Sequence, residues 1–360
     1  MSINVKRFIN RETGHFSVEV LTPMFLGGAD GNAELRSPPL KNALRYWWRI
    51  TQGDTPKDKL LEKEQKLFGG VNDEASRSLV DIVVIEKNIK LEEKGSEIYI
   101  GKKPNKEADG KSVSLAAYLG LGPIHFKGIY EKKPISPGSN FNLSIIYPKE
   151  EDNKIIDAIS LFAHFGNLGS RSRNGWGSIN IKSLSPTIKL LTFSSLYTKY
   201  GEEINKIFGY DKKYPVRLGT SPKNEKQAPL LWKIASDKTW KIAMQEAASK
   251  YMDIRHSLTF GRPKGRVDKR HILGYPVMNH EVHEWDEKSK SDGRMPSQLR
   301  ILVRKKGEIY TSYFFHLPHL IPKKWDKSLN IEELSLWKQV HKTLDEKCER
   351  MDDMCQLIIC

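Results

Sequence analysis

The chain has 360 residues, 38% hydrophobic and 29% charged, a soluble globular mixture long enough for two domains of ordinary size. Its 59 lysines and arginines against 44 aspartates and glutamates leave a formal charge of +15 at pH 7, spread along the whole length. That balance asks for an acidic partner: nucleic acid is the commonest one, while an anionic membrane surface needs an amphipathic apolar face that is not found. Met1 to Asn10 holds no signal-peptide core and no apolar run approaches membrane-spanning length, so the expected location is cytoplasmic, with no membrane partner. Cys348, Cys355 and Cys360 are odd in number, crowd the last turns and make no Cys-x-x-Cys pair, which points to reduced, inert thiols.

In chain order, residues 15 to 26 alternate apolar and polar as a strand with one face in a core, broken by Gly27-Gly28-Ala29-Asp30-Gly31. Glu34 to Pro39 reads as a helix start, with Ser37 able to cap and a proline tolerated in the first turn. The helix is predicted from about Leu40 to Ile50, with Leu40, Ala43, Leu44, Trp47 and Trp48 as its buried stripe. Lys41, Arg45 and Arg49, each four apart, line the neighbouring edge as a basic ridge with no acid among them. Such a ridge suits a solvated face. It also suits anion binding, because the helix N-terminus leads from the same glycine-rich loop.

Residues 57 to 68 read as a charged amphipathic helix stopped by Gly69-Gly70, and Ser78 to Ile85 as an inner strand. The polar, lysine-rich stretch 86 to 112 reads as a long mobile excursion. Leu115 to Leu121 is apolar, Phe141 to Tyr147 a strand, and Asn153 to Asn167 an amphipathic helix with Ile155, Ile156, Ile159, Phe162 and Ala163 on one face. That helix delivers the chain into Gly169-Ser-Arg171-Ser-Arg173-Asn174-Gly175-Trp176-Gly177, after which Ser178 to Ile181 leaves as a strand. Three glycines permit positive φ and close approach of backbone amides to an anion. Arg171 and Arg173 add guanidinium forks for phosphate, and Trp176 a flat ring for a base. The same pattern also suits a tight helix-to-strand turn. The order strand, helix, strands, helix, strand fits an antiparallel sheet with helices on one face, an α+β, ferredoxin-like arrangement.

Ala29-Asp30, then Glu34-Leu35-Arg36-Ser37-Pro38-Pro39-Leu40-Lys41-Asn42-Ala43-Leu44-Arg45-Tyr46-Trp47-Trp48-Arg49, then Gly169 to Gly177, resemble the RAMP superfamily of CRISPR proteins. Within it the similarity is to the first-subunit family of the Cmr-type module, the type III-B effector complex. Tyr118 to Gly122 and Pro137 to Phe141 extend the resemblance over most of residues 15 to 182. It implies a non-catalytic RNA-binding subunit of two ferredoxin-like halves, placed at the ribonucleoprotein end that holds the 3′ portion of the guide RNA and helping to capture target RNA in antiviral defence. The partners implied are guide and target RNA and the other Cmr-type subunits. The matched positions are Gly27, Gly28 and Asp30 in their loop, then Arg36, Lys41, Arg45 and Trp48, then Gly169, Arg171, Arg173, Gly175 and Gly177; Arg49, Asn174 and Trp176 are further candidate RNA contacts. Ser37-Pro38-Pro39 departs from the freer small-residue stretch usual before that helix.

The second half, 185–360, is expected to form its own ferredoxin-like domain beside an N-terminal one at 1–184. Residues 196 to 208 and 238 to 252 read as helices, Gln298 to Phe315 as a hairpin turning at 305–308, and Leu329 to Asp345 as a final helix. Between Lys250 and His271 stand seven lysines and arginines against two acids, in a Gly- and Pro-containing loop; Arg255, Arg262, Lys264, Arg266, Lys269 and Arg270 are candidate RNA contacts. No Walker loop, zinc spacing or nucleophile elbow is present, so neither metal nor cofactor is expected. His15, His125, His164 and His256 are the candidates for a metal-independent ribonuclease, His164 on the helix before the Gly/Arg loop foremost. A guide-processing endoribonuclease therefore stays open as the alternative to a pure binding subunit. Asp30 and Glu34 are read as orienting Arg36.

Overall fold

The computed structural model describes residues 10–28, 31–53, 55–71, 75–106, 110–208, 216–223, 226–258, 267–275, 282, 295–319 and 333–351. Its first half is built from β1 (Arg11–Val20), α1 (Ser37–Trp48), α2 (Lys57–Phe68), β2 (Asp81–Asn88), a small hairpin of β3 (Lys102–Pro104) and β4 (Ser112–Ser114), α3 (Leu115–Gly120), β5 (Asn140–Pro148), α4 (Asp152–Phe165) and β6 (Ile179–Ser183). The four long strands hydrogen-bond in the order β2-β5-β1-β6, all antiparallel. Phe16, Val18 and Val20 of β1 alternate into the core with Phe141, Leu143 and Ile145 of β5, and α1 packs beside α4 over that face.

The second half repeats the order. After α5 (Phe193–Tyr200) come β7 (Leu231–Asp237), α6 (Trp240–Ser257), β8 (Leu299–Lys306), β9 (Ile309–His316), α7 (Glu333–Lys347) and β10 (Glu349–Arg350). These strands run β8-β9-β7-β10, again antiparallel. Each half is thus an α+β, ferredoxin-like βαββαβ unit.

The halves meet edge to edge, β6 beside β8. Val303 N donates to Ser178 Oγ (3.1 Å), Asn180 Nδ2 to Lys305 O (3.0 Å), and Ile301 N to Arg173 O (2.8 Å). Side chains and loop thereby satisfy the backbone groups that an edge strand leaves open. Across the same seam Arg304, 1% exposed, donates Nε to His164 O (2.9 Å), Nη2 to Gly166 O (2.8 Å), and Nη1 to Asn167 Oδ1 (3.2 Å) and Val303 O (2.8 Å). The carbonyls at the end of α4 have no helical partner and carry the negative end of its dipole, so a guanidinium belongs there. Burial pulls the pKa of Arg304 down to about 9. Both hydrophobic clusters draw on both halves: Phe165 stacks on Phe315 at 4.6 Å in one, and Trp176 packs with Phe25 and Trp240 in the other.

Several elements differ from expectation. Helix α1 starts at Ser37 itself; Arg36 is its N-cap and supplies no side-chain cap. The helix expected at 196–208 is broken into α5, a short strand at Gly201–Glu203 and a single turn at Ile204–Ile207. The excursion after β2 is tied down by the β3–β4 hairpin, with Ile98 and Ile100 buried in the second cluster. Cys348 is half-buried at the end of α7, and burial pushes its thiol pKa up; Cys355 and Cys360 lie outside the described residues.

Two expectations follow. Arg304→Ala should destabilise by roughly 3 kcal/mol, since it strands buried acceptors and leaves a cavity, and fluorescence and far-UV dichroism in urea should report one shared transition for both halves. Burial also lowers the pKa of His164 to about 4 and of His341 to about 3. Unfolded histidine titrates near 6.5, so the unfolded chain takes up these protons first. Stability should be fully present above about pH 6.5 and fall as pH drops toward 4; a urea midpoint that stays level from pH 7 to 5 would contradict this.

Candidate nucleic-acid interface

Between α1 and the 169–177 loop lies a cleft of about 310 Å³, lined by Pro39, Asn42 and Tyr46 on one wall, Asn167, Gly169, Ser172 and Arg173 on the other, and Arg300 from β8. Arg173 donates Nη1 to Ser297 O (2.5 Å). Its pKa is pulled down to about 10, first by burial and then by the neighbouring Arg300. Arg300 is 8% exposed, hydrogen-bonds Tyr46 Oη, and lies 4.9 Å from the Tyr46 ring and 5.6 Å from that of Trp47. Its Nε is buried with no hydrogen-bond partner among the described residues. Among the described residues no carboxylate lines the cleft. Two like charges held close in a partly dry site are compensated best by an anion whose oxygens accept from both forks.

The loop itself serves structure more than the sequence suggests. Gly175 (φ +88°) and Gly177 (φ +65°) adopt conformations that side chains resist, and an added Cβ would lie 2.7 Å from Met244 Sδ and 1.8 Å from Leu168 O respectively. What packs against these glycines is the protein's own chain. Trp176 is fully buried against Phe25 and Trp240, so its ring fills the core where a base-stacking platform was expected. Asn174 donates Nδ2 to Leu119 O (2.8 Å). Arg171 is exposed and, among the described residues, the one non-glycine residue at positive φ (59°), a strained conformation of the kind found at ligand-binding loops.

The ridge on α1 looks elsewhere. Arg45 and Arg49 both bind the carboxylate of Glu64 on α2, Arg49 with Nε at 2.5 Å and Nη2 at 2.8 Å. Burial alone would raise the Glu64 pKa, but the hydrogen bonds and charges of Arg49 and Arg45 outweigh it and hold the carboxyl below its usual range. The absence of an acid from α1 therefore concealed one that tertiary packing delivers. Lys41 reaches Ser78 Oγ (3.1 Å), and Trp48 is buried against Phe68. Gly28 N donates to Asn32 O (2.7 Å), and Arg36 donates Nη2 to Gly27 O (2.5 Å). Asp30 lies outside the described residues.

In the basic run, Arg262, Lys264 and Arg266 also lie outside the described residues. Arg255 sits over the Tyr118 and Tyr251 rings, each at 5.9 Å; Lys269 is exposed, and Arg270 is buried with Nη2 directed at Leu258 O (3.4 Å). His164 is 2% exposed with Nε2 on Leu191 O (3.0 Å), a packing role. Among the described residues no three His, Cys, Asp or Glu side chains gather as a metal site. Arg300 and Tyr46 are the site residues that sequence reasoning missed. Glu64→Gln should lower stability by about 1.5–3 kcal/mol, the worth of charged hydrogen bonds, visible as a reduced melting temperature.

Residues 17–180 match the model of the RAMP superfamily. The Cmr subunit Cmr1-2 of the Pyrococcus furiosus CRISPR system is 23% identical over 189 residues, 47% of this chain and 95% of that protein. Subunit Cmr1-1 of the same organism is 30% identical over 162 residues, 43% of each chain. Similar solved structures include Cmr1 from Pyrococcus furiosus in its apo form, at 18% identity and TM-score 0.46 over 86% of this chain and 88% of that one. Another is a chain of the type III-B Cmr-beta bound to cognate target RNA and AMPPnP, at 12% identity and TM-score 0.46 over 92% and 99%. The matched segment runs from β1 to β6 and contains both walls of the cleft, so over that segment the chain is similar to the RAMP superfamily.

Proposed function

We propose that this chain is a non-catalytic RNA-binding subunit of a type III-B (Cmr) CRISPR ribonucleoprotein. It sits at the end that holds the 3′ portion of the guide RNA and helps capture target RNA for antiviral defence in the cytoplasm, with guide RNA, target RNA and the other Cmr-type subunits as partners. The observation that carries this reading is the cleft in which Arg173 and Arg300 face the same space with no carboxylate among its described lining residues. A net charge of +15 adds long-range attraction for a polyanion. The likeness to Cmr subunits supports the assembly. A binding role without cutting is supported by His164, the foremost candidate base, being packed beneath the surface. No helix among the described residues is long and apolar enough to cross a membrane.

The test is fluorescence anisotropy of labelled single-stranded RNA with the full chain at several salt concentrations, followed by a denaturing gel of the same samples. Arg173→Ala and Arg300→Ala should each weaken binding about tenfold and lower the salt slope by about 0.7, one phosphate contact on a single strand. Arg45→Ala, whose guanidinium is engaged by Glu64, should have a smaller effect. Cleavage that persists in chelator and disappears in His164→Ala would overturn the reading in favour of a nuclease.

A further inference from the structure

A second feature lies beside the Gly/Arg loop, on the tight turn after α3. Phe126 is 65% exposed at its tip. Its ring lies 4.0 Å from that of His125, tilted by 41°, and Lys127 Nζ is 6.0 Å from the Phe126 centroid. The turn is firmly anchored. His125 N donates to Ile129 O (2.8 Å), Gly128 N to His125 O (2.8 Å) and Ile124 N to Gly120 O (3.0 Å), with Ile124 and Tyr130 buried at its base. Gly128 takes φ +80°, and a Cβ there would lie 2.9 Å from Ser114 Oγ. Lys127 N donates to His125 Nδ1 (3.3 Å), which orients the imidazole and leaves its proton on Nε2. A single exposed apolar side chain is ordinary. Two adjoining rings with a cation beside them, on a turn fixed by its own hydrogen bonds, form a prepared aromatic surface.

The turn also borders the Gly/Arg loop, one side of which lines the cleft. A Cβ on Gly122 would lie 3.6 Å from Arg171 Nη2, and Asn174 of the loop holds Leu119 O. Arg171, two residues from Arg173 in the same loop, is the cation whose guanidinium lies beside Gly122 at the start of the turn. We propose that the His125–Phe126 turn stacks on an unpaired base of the bound single-stranded RNA, with Lys127 beside the adjoining phosphate. This deepens the RNA-binding reading above and rests on it. An aromatic face accepts any base, so the contact adds affinity without selecting sequence.

The experiment uses the full chain and single-stranded RNAs carrying 2-aminopurine at successive positions. Wild type should quench one position by stacking, and an abasic substitution there should weaken binding about tenfold. Phe126→Ala should show the same loss on intact RNA, no further loss on the abasic RNA, and an unchanged salt slope; Phe126→Trp should restore affinity. If Phe126→Ala binds intact RNA as tightly as wild type, the stacking proposal falls while the cleft reading stands. The same holds if its only defect is weaker association with another protein chain. If wild type binds no RNA in a salt-dependent way, the cleft reading falls and takes this one with it.

Discussion

A guanidinium buried among helix-end carbonyls is the constraint on which the two halves depend. Arg304 reaches from β8 into the carbonyls that end α4 and finds its partners in dipoles. A buried ion pair would have required desolvating two charges, whereas helix-end carbonyls already need donors that water cannot supply there. Burial pulls the Arg304 pKa down, and its guanidinium hydrogen-bonds His164 O, Gly166 O and Asn167 Oδ1. One side chain thereby completes a helix of the first half while belonging to a strand of the second.

The cleft follows from this joint. With α4 ended by Arg304, Asn167 and the loop beyond it are held against β8: Asn167 binds Ile301 O, Arg173 O accepts from Ile301 N, and Gly175 packs on Ile301. Arg300, one residue earlier on β8, is thereby set beside Arg173 and over Tyr46. The site is a product of the seam, and neither half contains it alone.

Much of this was legible in the sequence, and the rest was not, for identifiable reasons. Local periodicity marked α1, α2, α4, the paired strands and the β8–β9 hairpin, because their buried faces are written at spacings of two or of three and four. The βαββαβ order of the first half followed. Arg173, legible in the sequence as a candidate RNA contact, is one of the residues that line the cleft. Its partner Arg300 sits in an apolar strand run where a lone arginine carries no local sign of its surroundings. Trp176 and the loop glycines were legible as special but not as buried, since the composition of a ligand loop and of a loop wedged between two units is the same. Glu64 could not be assigned to Arg45 and Arg49 from spacing within one helix, because it arrives on another.

The interlock of loop and strand edge has a kinetic consequence. Because the backbone of Arg173 bonds β8 and that of Gly177 lies against Leu168, the cleft cannot widen without breaking the seam between the sheets. On the proposed reading, a strand of RNA would meet a site of set width, with little ordering left to do on the protein side. Encounter is then governed by steering of a polyanion toward a positive surface, and discrimination by how fast a poorly fitting strand leaves. A rigid joint of this kind turns selectivity into a matter of residence time.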